Sequence, residues 1–159
     1  TLLLNLASVC LAETPEVVWG YVSDYAPGVS AESHPELDRM IGYAVNYYQD
    51  MVRPHKTYRL PTAEEAAQIE TLAATIEALP ADADAEAVQS AVYATGKDVG
   101  YKNLRTWFQC LYEVLLGQSE GPRMGSFFEL YGRAQSVALI RAALAGQLAA
   151  GSAGSGDTA

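Results

Sequence analysis

Hydrophobic side chains recur along this chain at spacings of three and four, the period that lines one face of an α-helix, and no segment shows the period-two alternation of a strand. Leu2, Leu3, Leu6, Val9 and Cys10 predict a short first helix ending near Ala12. A second follows at once. Thr14 suits an N-cap, Pro15 suits the first helical position, and Val17, Val18, Tyr21 and Val22 form a stripe that Ala26-Pro27-Gly28 terminates. The third has Ser33 and Glu36 at capping-box spacing, with His34, just before Pro35, as a rival N-cap. Leu37, Met40, Ile41, Ala44, Val45, Tyr48, Met51 and Val52 share its predicted inner face, and Pro54 marks its stop.

The segment RPHKTYRLP, residues 53–61, reads as an extended connection. Thr62 with Glu65 is a cleaner capping box, and Ala66, Ile69, Leu72, Ala73, Ile76 and Leu79 carry a helix up to Pro80. Asp82 or Asp84 caps the next, which runs through Ala85, Val88, Ala91, Val92 and Ala94 and weakens near Gly96. A turn from Asp98 to Asn103 leads to the most hydrophobic helix, Leu104 to Leu116, with Gly117 placed to end it. The turn GQSEGPRMG, a short helix from Ser126 to Tyr131, and a last helix from Arg133 to about Leu148 complete the pattern. The expected fold is all-α, a bundle of about seven to eight helices. It divides into a first helical subdomain over 1–61, continuing an upstream helical region, a second over 62–148, and a flexible Gly/Ser-rich tail over 149–159.

At 159 residues, half of them hydrophobic, the chain is long enough to bury a core, and no apolar run approaches the roughly 20 residues of a membrane-spanning helix. The opening LLLNLASVCLA has no basic stretch ahead of it and does not read as a secretory signal; a helix starting at the first residue reads as a piece of a larger protein. Cys10 and Cys110 fall on apolar helical positions, and with only His34 and His55 beside them they make neither a disulfide framework nor a zinc site. Buried thiols in a reducing cytoplasm are expected. The net charge of -9 argues against a nucleic-acid partner for the molecule taken whole. Its distribution changes that picture: residues 1–96 carry 14 acidic against 4 basic side chains, whereas residues 97–141 carry 6 basic against 4 acidic ones.

A P-loop, a dinucleotide fingerprint, an HExxH helix and a GxSxG elbow are all absent from the sequence, so no catalytic residue is expected. His34 and His55 read as a cap and a solvated loop residue. Tyr43, Tyr47 and Tyr48 lie near one another on the third helix, and packing is the expected role, since tyrosines at that spacing more often half-bury than form a stacking platform. Phe108, Leu111, Tyr112 and Leu115 share an inner face, with Trp107 and Tyr112 close enough to its edge to reach outward.

Three glycines and a proline make Gly117 to Gly125 a tight, open turn with amides exposed at the start of a helix. Arg123 would supply a charge-assisted contact and Gln118 a bidentate one, both suited to unpaired bases of RNA, although a Gly/Pro loop between helices is usually only a loop. The surrounding stretch, WFQCLYEVLLGQSEGPRMGSFFELYG, closely resembles the C-terminal signature of class I lysyl-tRNA synthetases of bacterial type. LLLNLASVCLAETPEVVWGYVSDYAPG, SHPELDRMIGYAVNYYQDMVRPHKTYRLP and LPADADAEAVQSAVY resemble the same family, so that the likeness covers residues 1–145.

The resemblance implies a helix-cage anticodon-binding domain, similar to that of glutamyl-tRNA synthetases. It also implies a parent lysine–tRNA ligase of the cytoplasm, not of a membrane, which attaches lysine to its tRNA with ATP and Mg. Those cofactors would bind in an upstream catalytic domain of the same polypeptide, which carries the HIGH and KMSKS motifs; neither motif is in this chain, which is expected to be non-catalytic and to hold no cofactor or metal. The implied partner is the anticodon loop of lysine tRNA. The family's contacts fall by motif on Tyr112 and on Gly121, Pro122, Arg123 and Met124, and Gln118, Trp107, Lys102 and Arg105 join them by position and local positive charge. A helical domain for protein–protein contact or oligomerisation is the alternative, and the acidic net charge favours it.

Overall fold

The computed structural model describes residues 2–149; Thr1 and residues 150–159, which hold nearly all of the expected tail, lie outside the described residues. Eight α-helices follow one another, and there is no strand among the described residues. They are α1 (Leu2–Val9), α2 (Pro15–Tyr25), α3 (Pro35–Tyr47), α4 (Ala63–Ala78), α5 (Ala85–Asp98), α6 (Leu104–Leu111), α7 (Met124–Tyr131) and α8 (Arg133–Leu144). Two of them, α3 and α6, widen at their ends into a π turn, over Tyr48–Val52 and Tyr112–Leu116.

The helix ends mostly follow local chemistry, but α7 begins at Met124 rather than Ser126, α8 ends at Leu144 rather than near Leu148, and Arg53–His55 forms a 3-10 turn where an extended connection was expected; three further departures have a visible cause. α1 stops at Val9 rather than near Ala12, because Leu11 takes a left-handed conformation at φ 53° and turns the chain towards α2. Gln49 holds that corner, donating from its side-chain amide to the Ala12 and Glu13 carbonyls at 3.0 Å each. At the start of α3, Ser33 spends its hydroxyl on Ser30 and on the His34 ring, so the Ser33/Glu36 box does not form and His34 occupies the N-cap without a side-chain bond. α5 runs on to Asp98 through Gly96, where weakening was expected, because the missing side chain is what lets Trp107 lie against it. The box at Thr62 and Glu65 does close, with bonds of 3.2 and 2.9 Å, and Asp84 caps α5 by accepting from the Ala87 amide at 2.9 Å.

Two hydrophobic clusters form the core. The first gathers Leu6, Ala7, Val18, Val22, Ile41, Val45 and Tyr48 from α1 to α3. The second, larger one gathers α4 to α8 around Ile69, Leu72, Ile76, Val92, Trp107, Leu111, Leu115, Phe127 and Ile140. Helix α7 joins them: it packs along α5 and also meets α1 and α2, and the Tyr131 ring stacks on Phe127 at 5.9 Å and lies 5.1 Å from Tyr21.

Not every predicted inner face is buried. On α3 the stripe Ile41, Val45 and Tyr48 is inside, whereas Met40, Tyr43, Tyr47 and Met51 are more than half exposed. The packing expected of Tyr43 and Tyr47 is therefore wrong, and only Tyr48 is core. Residues three and seven along from Met40 form their own stripe a quarter-turn round the helix, and the wide π turn carries Met51 out after them. Cys110 is buried and Cys10 half-buried, and loss of solvation pushes both thiols up to about 11, so they remain protonated.

Candidate nucleic-acid interface

The turn between α6 and α7 is shaped by what flanks it. The π turn at Tyr112–Leu116 ends on Gly117 at φ 70°, a left-handed conformation that suits glycine. Its exposed carbonyls are taken up by the 53–61 connection, whose Thr57 amide donates to Gly117 at 3.1 Å. That connection is itself fastened by Arg59, which grips Glu65 through two nitrogens at 2.8 and 3.0 Å and reaches Glu113 at 2.7 Å. The guanidinium holds the Glu65 carboxyl down at about 2 and lowers Glu113 as well.

Beyond Gly117 the backbone is clamped from both sides. The Tyr112 hydroxyl donates to the Pro122 carbonyl at 2.8 Å, and its ring lies so close to Gly121 that an added Cβ would sit 2.5 Å from it. Burial, and then the neighbouring Tyr93, raise the Tyr112 phenol, which stays a donor. On the other side the Gly125 amide donates to the Gln89 side chain at 2.7 Å, and a Cβ on Gly125 would collide with the Ala85 carbonyl at 2.3 Å. Only Ser119, Glu120, Gly121 and Arg123 remain exposed along the turn.

Arg123 is the turn's exposed cation. It meets Glu86 at 2.7 Å and the Ser126 hydroxyl at 3.4 Å, with both charged side chains largely solvated. Such a surface pair stabilises by about 0–1 kcal/mol, so a phosphate or a base edge can replace Glu86 at little cost. Tyr112, Gly121, Pro122 and Arg123 thus come together, with Pro122 buried and presenting no side chain outward.

The other expected contacts are placed elsewhere. Trp107 has no exposed surface: its indole donates to the Val92 carbonyl at 3.0 Å and its ring packs on Tyr101 and over Gly96, so it is core and does not reach outward. Met124 is also wholly buried, because it opens α7 facing the second cluster. Gln118 donates to the Asn5 side chain at 2.7 Å and ties the turn to α1, which occupies the amide expected to read a base. Lys102 and Arg105 are exposed at the start of α6 and make no ion pair among the described residues. Arg105 lies seven residues from Tyr112, about 10 Å along the helix.

Two features escaped the sequence reading. Tyr93 on α5 is 43% exposed and meets Phe108 edge-on at 5.1 Å, and Phe108 in turn lies 6.4 Å from Tyr112. Its signal was an aromatic one residue off the apolar stripe of α5. Lys56, in the connection between α3 and α4, is drawn inward against the Tyr58 hydroxyl and the Ser8 carbonyl, and burial lowers it to about 8.

Among the described residues no group of three or more His, Cys, Asp or Glu side chains could hold a metal ion, and no helix is long and apolar enough to cross a membrane. Residues 30–146 match the family described as the anticodon binding domain, and the chain belongs to that family. It is 47% identical over 148 residues to a lysine–tRNA ligase of Roseobacter denitrificans, covering 93% of this chain and 28% of that protein. A lysine–tRNA ligase of Rickettsia bellii is 41% identical over 140 residues, covering 88% and 27%, and one of Rickettsia felis is 38% identical over 143, covering 90% and 27%. The chain therefore spans little more than a quarter of the length of these relatives. No solved structure matches it.

Proposed function

We propose that this chain is the anticodon-loop recognition module of a class I lysine–tRNA ligase of bacterial type, acting in the cytoplasm. Family membership over residues 30–146 carries the reading, and the exposed Arg123 on a turn clamped by Tyr112 and Gln89 supports it. The chain's part is to bind and orient. Arg123 exchanges Glu86 for the RNA, the rigid turn presents its backbone to the unpaired loop, and little conformational freedom is lost because the turn is already fixed. Lys102, just before α6, and Arg105, in its first turn, add phosphate contacts. ATP and Mg would supply the activation of lysine in the catalytic domain of the parent protein.

The test is binding of the lysine anticodon stem-loop to the chain across a range of salt. Affinity is expected to fall steeply as salt rises, since phosphate contacts release counterions. Arg123→Ala is expected to weaken binding by about 1–3 kcal/mol; no binding at low salt sinks the reading, and unchanged affinity moves the contact away from Arg123. The exposed Met40, Tyr43, Tyr47 and Met51 on α3 favour a second reading, docking of a protein partner. That reading predicts a complex insensitive to salt.

A further inference from the structure

Tyr93 is, among the described residues after Leu60, the one large apolar side chain that the fold leaves exposed. A single exposed tyrosine carries no message alone, but its surroundings do. Phe108 meets its ring at 5.1 Å and 66°, and Tyr112 follows at 6.4 Å, so three aromatic rings run from the outside of α5 to the turn whose Pro122 carbonyl Tyr112 holds. Lys97 lies four residues after Tyr93, on the same side of α5 one turn on, and Arg105 lies three before Phe108 on α6. Both cations are exposed and without an ion pair among the described residues. The acidic groups nearby are Glu86, already paired with Arg123, Asp98 beside Lys97, and Glu120 in the turn.

A partly exposed tyrosine ring with a second ring packed edge-on against it, and with unpaired cations one helical turn away along α5 and α6, fits a nucleobase with its adjoining phosphates. A protein partner would call for more apolar surface than one ring. We propose that Tyr93, backed by Phe108, is the stacking seat for one unpaired base of the anticodon loop, with Lys97 and Arg105 holding the adjoining phosphates. This rests on the RNA reading above and adds a residue that lies outside the motif-matched turn.

The experiment titrates the chain with the lysine anticodon stem-loop carrying a fluorescent purine analogue at each loop position in turn. One position is expected to be quenched on binding. Tyr93→Ala should abolish that quench and weaken binding by roughly 5- to 150-fold, the span of one base–aromatic stack. Tyr93→Phe should keep both the quench and the affinity within about two-fold, since the ring does the stacking. Lys97→Ala should reduce the slope of log Kd against log salt by about one. Circular dichroism checks that each variant keeps the helical signal. Wild-type affinity in Tyr93→Ala, alongside weakening in Arg123→Ala, overturns the stacking seat and leaves the RNA reading standing. Equal losses in Tyr93→Ala and Tyr93→Phe overturn stacking in favour of the hydroxyl. Absence of any binding by the wild-type chain overturns both.

Discussion

Glycines show most directly how single positions are decided here by neighbours rather than by local propensity. Gly96 sits inside α5, where alanine would ordinarily stabilise a helix, yet a Cβ there would come within 2.4 Å of the Trp107 ring. Gly42, inside α3, meets nothing within 4 Å. Gly96→Ala is therefore expected to destabilise the chain by about 1–3 kcal/mol, the scale of overpacking a core, while Gly42→Ala stabilises it by about 0.4–1 kcal/mol. Urea denaturation of the two variants checks the contrast; the same sign in both would show that Trp107 has room to move. Trp107 itself illustrates why a sequence conceals such pairs. Its neighbour Phe108 lies on the inner face by periodicity, and only the gap left by a glycine eleven residues earlier makes room for the larger indole.

At the scale of elements, most of the helices were legible because capping chemistry is local. Thr62 with Glu65, Asp84 with Ala87, and Gly117 in its left-handed turn all act within a few residues of themselves. What was not legible depends on distant partners or on helix register. Ser33 was diverted to Ser30, and the π turns at Tyr48–Val52 and Tyr112–Leu116 shift the faces that a constant period assigns. The Arg59 network joins three elements that no local pattern connects. Glu65 is held at about 2 in the folded chain, below the ordinary carboxylate value of 4.5, so its contribution is complete above the unfolded value and lost as pH falls from about 5 towards 2. The urea midpoint should accordingly drop across that window, and Glu65→Gln should flatten the drop. An equal drop in the variant would assign the acid sensitivity to other carboxylates.

For the whole molecule, the acidic net charge and the proposed RNA partner are reconciled by where the charges lie. Residues 1–96 hold 14 of the 19 carboxylates, whereas the end of α5, the start of α6 with the turn before it, and the turn after it expose Lys97, Lys102, Arg105 and Arg123. The turn was legible from its motif, but the division of labour within it was not. Met124 and Trp107 were drawn inward by the core, Gln118 was drawn to α1, and the exposed Tyr93 lies on α5, outside the turn that the resemblance singled out for contacts. The most direct test compares two hairpin RNAs with the same stem, one closed by the lysine anticodon loop and one by an unrelated loop of equal length. Recognition of the loop predicts roughly 5- to 150-fold tighter binding of the first, the discrimination that 1–3 kcal/mol of base contact provides. Equal binding of both hairpins would contradict it.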